Sequence, residues 1–300
     1  MADSYNFSNA AYRRKIRTHS IIRFIVCVLL TIICLLPIYI ILINSTRDNA
    51  EIIQNGISLL PGTNFIQNFK NLTDPEYAHG VYFRTFNLLI GYRNSLIIAG
   101  STTILTVFFS AMTAYGLTVY DFKGKKFATT FILMVMMVPT QVVSTGFLEF
   151  MASIKLLNNY VPLILPAIAA PATVFFMLQY MKSSFPLDIV EAARIDGCSE
   201  FRTFMQISLP IFKPAFAVQA IFAFVANWNN YYTPTMLLVN GDANMRTMPM
   251  MVGGIMGLST TTDYGVQNLA VILSIVPIVI IYLLLSKFIV KGVALGAVKG

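Results

Sequence analysis

Hydrophobic and polar residues are segregated along this chain into long blocks rather than mixed at helical or strand spacing. Six apolar blocks predict membrane-crossing helices at about 22–43, 94–120, 127–149, 156–181, 214–240 and 264–286. Each is built on a run free of Asp, Glu, Lys and Arg. Each run reaches the roughly 20 residues that span about 30 Å of hydrocarbon at about 1.5 Å per residue. Several carry proline (Pro37, Pro139, and Pro162, Pro166 and Pro171 together). Prolines kink such helices, and the freed carbonyls need partners from neighbouring helices or a wet cavity. The second block is rich in Ala, Gly, Ser and Thr, which let helices approach closely.

The longest polar interval in the second half, residues 183–214, has its own helical logic. Pro186 suits a first turn, and Asp188 and Glu191 place negative charge at a helix N-terminus. Ala192 and Ala193 favour helix, and Gly197 suits a left-handed stop. Ser199 is a good cap for a second helix, in which Phe201, Phe204, Met205 and Leu209 form one apolar stripe. Pro210 and Pro214 are expected to end it. The prediction is two short helices joined by a glycine turn, too short to cross a membrane.

Composition agrees with the block pattern. Hydrophobic residues make up 56% of the 300 and charged residues 11%, with a mean hydropathy of +0.70. Soluble domains carry about 25% charged residues, so the fold class expected is an all-α membrane protein. Most of the 21 basic residues fall before the first span, in the 121–126 turn, in 182–213 and after the last span. By the positive-inside rule this places both termini and residues 183–214 in the cytoplasm. The net charge of +8 is then a matter of topology, and a nucleic-acid partner is not expected. The organisation expected is a basic tail (1–20), a six-span domain (21–290) containing the 183–214 loop, and a cytoplasmic tail (287–300).

Candidate chemistry is sparse. Gly124-Lys125 lacks the leading glycine and the following Ser or Thr of a phosphate loop, so no nucleotide site is expected in this chain. His19 and His79, with Cys27, Cys34 and Cys198, are too scattered to assemble a metal site by spacing. Met134, Met136 and Met137 fit adaptable packing or a substrate path. The polar string Asn227-Trp228-Asn229-Asn230-Tyr231-Tyr232-Thr233-Pro234 demands hydrogen-bond partners inside an apolar run. Either an outer aromatic belt with inter-helix bonds or a polar translocation wall satisfies that demand.

The order Glu191-Ala192-Ala193, Asp196-Gly197, Ile207, Leu209-Pro210 and Lys213-Pro214 resembles the coupling loop of ABC importer permeases, carbohydrate (maltose) type. The likeness covers essentially the whole chain and is to the shorter permease partner. Phe224 with Asn227-Trp228-Asn229 and Tyr231, Tyr115-Gly116, Asp121-Phe122 and the terminal 296–300 segment are similar to further parts of that family. Asn230 departs from it, since many members are acidic there, and so does the absence of an arginine after Gly116.

The resemblance implies a transport subunit rather than an enzyme, moving a carbohydrate, an oligosaccharide, inward by alternating access. It implies a second permease subunit, two ABC ATPase subunits that hold the ATP and Mg²⁺, an extracellular solute-binding protein, and surrounding membrane lipid. No cofactor is expected in this chain. Glu191, Ala192, Ala193, Asp196, Gly197, Phe201, Leu209 and Pro210 would couple to the ATPase. Ala297, Val298, Lys299 and Gly300 would contact it, and Asn227, Trp228, Asn229 and Tyr231 would line the path. The alternatives are an ion-gradient-driven transporter and a non-transporting membrane subunit. Gradient-driven carriers place ionisable residues deep in the membrane, and the six runs contain none.

Overall fold

In the computed structural model, residues 2–258 and 262–297 are described, with side chains for 16–139, 142–258 and 262–286. Among them the chain is helical throughout, with no strand. It divides into two units, residues up to 72 with 262–272, and residues 73–258 with 273–297.

The first unit begins with α1 (Ala2–Asn44), which contains Pro37. Its side chains from Ile16 to Tyr39 are exposed, including Cys27 and Cys34, as suits a helix whose solvent is lipid. The chain then closes around a buried polar knot. Asp48 caps α2 (Asn49–Asn55) by accepting from the Ala50 amide. Asn68 of α3 (Phe65–Thr73) is buried and donates through Nδ2 to the carbonyls of Ser45 and Arg47, both at 2.9 Å. Arg47, 4% exposed, reaches Glu51 at 2.7 Å and the Gly56 carbonyl at 3.0 Å. The last helix (Tyr264–Ala297) enters this knot at Gly265, where a Cβ would lie 2.6 Å from the Arg47 carbonyl oxygen. Only glycine fits there.

In the second unit a short helix α4 (Val81–Thr85) leads to α5 (Leu88–Val119), the post against which two later helices, Pro171–Ser184 and Lys213–Trp228, pack. Its buried face is mostly small (Ala99, Thr102, Ser110, Ala111, Ala114), so neighbouring backbones come close. The expected 127–149 span is instead two helices, α6 (Lys125–Met136) and α7 (Thr140–Ser153). Pro139 sits between them, and the preceding amides of Met137 and Val138 tighten onto Met134 and Val135. The expected 156–181 span is likewise divided. Here α8 (Val161–Ile164) and a 3₁₀ turn to Ile168 are separated from α9 (Pro171–Ser184) by Ala169 and Ala170.

After α9 come three short helices, α10 (Asp188–Ile195), α11 (Glu200–Arg202) and α12 (Leu209–Ile211). The expected 214–240 span consists of α13 (Lys213–Trp228) and α14 (Tyr232–Leu237). They part at the Asn229–Tyr231 amide cluster. α15 (Met248–Met256) and the part of the last helix, α16, from residue 273 onward complete the unit.

Among the described residues four helical stretches are long and apolar enough to cross a membrane: Ile16–Asn44, Tyr77–Val119, Val161–Ser184 and Tyr264–Ser286. A fifth results if Glu200–Ile211 and Lys213–Trp228, bent by 81°, are taken together. The difference from six uninterrupted runs arises where proline or clustered amides break a run.

Gly265→Val should destabilise the detergent-purified protein, because the added carbons meet the Arg47 carbonyl and the Asn68 carboxamide, which two hydrogen bonds hold in place. Overpacking of this kind costs about 1–3 kcal/mol, which a thermal-unfolding scan reads as a loss of several degrees. Gly100→Ala, whose Cβ would meet nothing within 4 Å, should leave the transition unmoved.

Candidate functional site

Two places gather the residues to which the sequence points: the 185–214 element and a cavity bounded by the broken helices. The element begins where α9 ends at Phe185, which is buried. α10 starts at Asp188, two residues later than Pro186 suggests, with Asp188 and Glu191 in its first turn. Its inner face is Val190 and Ala193, both nearly inaccessible. Its outer face presents Glu191, Ala192, Ile195 and Asp196. Gly197, at φ +75°, closes the helix. Its amide bonds the Arg194 carbonyl at 3.0 Å, and the Cys198 amide bonds the Ala193 carbonyl at 2.9 Å. This paired closure requires a left-handed residue, which glycine supplies without a Cβ penalty.

Beyond it Ser199 is extended at the cap position and its carbonyl accepts from the Thr203 amide at 2.9 Å, but its side chain does not make the capping bond expected of it. Between α11 and α12 the helix widens into a π turn, Thr203–Ser208, in which the Leu209 amide bonds the Phe204 carbonyl. Pro210 accounts for this, since it cannot donate to a carbonyl one turn back and its ring crowds that turn. The wider turn changes the phase of the expected stripe. Phe204 is buried and Leu209 half-buried, whereas Phe201 (64% exposed) and Met205 face outward. Pro210 and Pro214 do not terminate a helix. Each occupies the first turn of a new segment, and the chain bends between them at buried Phe212.

A polar clasp fastens the element to α5. The Tyr120 hydroxyl, one residue past α5, donates to Glu200 Oε2 at 2.6 Å. Arg194 donates from Nε to Glu200 Oε1 at 2.7 Å and from Nη2 to Oε2 at 3.3 Å. The same guanidinium lies 5.8 Å from the Tyr120 ring centre. The Arg194 hydrogen bond, then that of Tyr120, holds the Glu200 carboxyl below the usual carboxylate range. Beneath the clasp Tyr115, Phe185, Phe204 and Phe212 pack with Met177, Met181 and Val190 into one apolar core. Sequence reasoning missed Tyr120, Arg194 and Glu200 as a group. Arg194 and Glu200 are joined only across the Gly197 turn, and Tyr120 lies 80 residues from Glu200.

The cavity, of about 680 Å³, is lined by α5, by the breaks in the other helices and by residues around them. Pro162, Pro166, Pro171 and Met136 contribute apolar surface; Asn227, Asn230, Thr106 and Thr247 contribute polar groups. No charged side chain lines it among the described residues. Of the four residues expected on a path, Asn227 is on this wall. Trp228 is 2% exposed, stacks on Phe224 and donates to the Ser274 carbonyl at 3.0 Å. Asn229 and Tyr231, with Trp228, border a separate hollow of about 290 Å³ beside Gly253. Of the tail residues, Ala297 ends α16, its side chain being outside the described set. Val298, Lys299 and Gly300 lie outside the described residues.

Comparison with known proteins places these features. Residues 106–295 match the family described as binding-protein-dependent transport system inner membrane component. The chain is 34% identical over 272 residues to the arabinooligosaccharides transport system permease protein AraQ of Bacillus subtilis (strain 168), covering 91% of this chain and 93% of that one. It is 32% identical over 278 residues to the trehalose/maltose transport system permease protein MalG of Thermococcus litoralis, covering 91% and 94%. To the sn-glycerol-3-phosphate transport system permease protein UgpE of Salmonella typhi it is 31% identical over 264 residues, covering 87% and 90%. A chain from the crystal structure of a bacterial ABC transporter involved in the import of the acidic polysaccharide alginate shares the fold. The TM-score is 0.73 at 19% identity, over 90% of this chain and 96% of that one. The chain belongs to the ABC importer permease family, and is a multi-pass membrane transport subunit.

The clasp has a pH signature. Because its folded-state pKa is lowered, Glu200 contributes stability that is present above the unfolded carboxylate pKa of about 4.3. That contribution is lost as pH falls through the folded value. The melting temperature of Glu200→Gln should therefore lie below wild type at pH 7, with the gap closing as pH drops below about 4. A gap that stays constant with pH would remove the clasp's ionic character.

Proposed function

We propose that this chain is one of two permease subunits of an ATP-driven importer that moves a carbohydrate, an oligosaccharide, into the cell. In this reading all six apolar runs cross the membrane, the broken ones as kinked spans. Residues 1–20 and 287–300 are cytoplasmic tails of a permease domain at 21–290, and the 183–214 element faces the cytoplasm. A second permease chain completes the pathway. Two ATPase subunits hold ATP and Mg²⁺, and a solute-binding protein delivers the sugar from outside. The ATPase grips Glu191, Ala192 and Asp196 on the outer face of α10, with Phe201 and Pro210 beside them, while the 297–300 tail reaches the same partner. Ala193, Gly197 and Leu209 shape the grip from within.

The observation that carries the reading is the pairing of an exposed face on α10 with an inner face fixed to α5. A surface available to a partner is held by the Glu200 clasp and an aromatic core, so that force applied to it reaches the membrane body. Two of the relatives support the carbohydrate class, being named for the transport of arabinooligosaccharides and of trehalose or maltose.

Two variants test the grip. Gly197→Val forces a β-branched residue into the left-handed region and should cut ATPase co-purification at least tenfold. Glu191→Lys should lower oligosaccharide uptake by tenfold or more while the protein remains in the membrane at wild-type amounts. Normal uptake and normal ATPase recovery in both would remove the grip from this face of α10, and uptake that persists when the chain is deleted would return it to the non-transporting alternative.

A further inference from the structure

The two carboxamides on the cavity wall are oriented by the protein, and their orientations are complementary. Asn227 donates through Nδ2 to the Ala223 carbonyl at 2.8 Å, which only the nitrogen can do. That leaves its Oδ1 as the free acceptor of a residue that lines the cavity. Asn230 accepts the Thr233 amide at Oδ1, 3.2 Å away, which only the oxygen can do. That leaves its Nδ2 as the free donor of a second residue lining the same cavity. The two residues sit on one turn, closed by the Asn230 amide on the Asn227 carbonyl at 3.3 Å. One open acceptor and one open donor, three residues apart, match the hydrogen-bonding capacity of a hydroxyl group, which offers both.

The rest of the wall sets a further condition. It is mainly proline, valine and other apolar side chains, relieved by serine and threonine hydroxyls and bearing no charge among the described residues. Such a surface suits the C–H faces of a sugar ring. A phosphate or carboxylate entering it would lose hydration with no cation to compensate.

We propose that Asn227 Oδ1 and Asn230 Nδ2 read a hydroxyl group of the transported solute, and that this cavity passes uncharged, hydroxyl-rich solutes and rejects phosphorylated or carboxylated sugars. The proposal rests on the importer reading above and adds to it the charge class of the substrate and the pair that contacts it.

The test uses cells expressing the whole importer, with this chain either deleted or replaced by variants. The labelled probes are arabinotriose and maltotriose as neutral solutes, with sn-glycerol-3-phosphate and an alginate disaccharide as anionic ones. Uptake of a neutral probe should depend on the chain. Asn227→Leu and Asn230→Leu, which each remove one partner, should lower it about three- to tenfold. Asn230→Ser, which restores a donor, should recover part of the loss. ATPase co-purification should stay at wild-type level in all of them. Chain-dependent uptake of an anionic probe alone would overturn the proposal and leave the importer standing. So would neutral uptake that the leucine variants leave unchanged, or a loss of uptake matched by loss of the ATPase. If uptake of none of the four depends on the chain, the carbohydrate reading falls, and this inference with it.

Discussion

Hydrocarbon offers no hydrogen bonds, so backbone that leaves the helix inside an apolar run must find its partners within the protein or in a water-filled space. The interruptions in the second unit obey that constraint together. The break before α7, the break between the 3₁₀ turn and α9, and the break after α13 all border the same cavity, through Val138 and Val143, Pro166 and Pro171, and Asn227 and Asn230. Three separate departures from helicity thus produce one feature. The prolines and amides that look like faults in individual spans are the components of a shared hollow.

The same chemistry keeps the hollow from collapsing. A cavity lined only by leucine and phenylalanine would invite the helices to close on it. Proline cannot donate, and its ring holds neighbouring backbone apart, whereas the two carboxamides satisfy part of their capacity locally. Asn227 bonds back to its own helix and Asn230 caps the next. Each therefore keeps one polar edge at the wall at modest cost, since a half-satisfied amide beside a wet cavity is less penalised than one in lipid.

Much of this was legible in the residues because it depends on local chemistry. The apolar runs, the glycine closure at Gly197 and the interruption of the fourth run by Pro162, Pro166 and Pro171 all follow from side-chain type and spacing, whereas those prolines fitted a cavity and a packing irregularity equally well. The π turn was not legible. Phe201, Phe204, Met205 and Leu209 read as one stripe only at the α-helical period, and Pro210 changes that period one turn before its own position. The clasp was hidden for a different reason: Tyr120 and Glu200 meet through tertiary packing, which no spacing rule anticipates. Within the polar string, residue type alone could not separate Trp228, whose indole is used in packing, from Asn230, whose amide reaches the cavity. That difference depends on where α13 ends.

α13 joins the two halves of the site. It starts immediately after the bend at Phe212, in the core beneath the clasp, and ends at Trp228, one residue beyond Asn227. Its 16 residues make a rod about 24 Å long at about 1.5 Å per residue. It is packed along its length against α5, the post to which Tyr120 anchors the docking element. A partner pushing on α10 therefore meets a stiff train: a helix closed by glycine, a charged clasp, a bend with Phe212 in its corner, and a rod that ends at the carboxamides. Stiffness favours discrete alternatives over gradual deformation, because packed cores resist small strains and yield by repacking. The π turn lies in that train between the clasp and the bend, where a return to the α form would tighten the helix by one residue. On this arrangement the wall proposed to touch solute and the surface proposed to meet an ATPase are ends of one mechanical element.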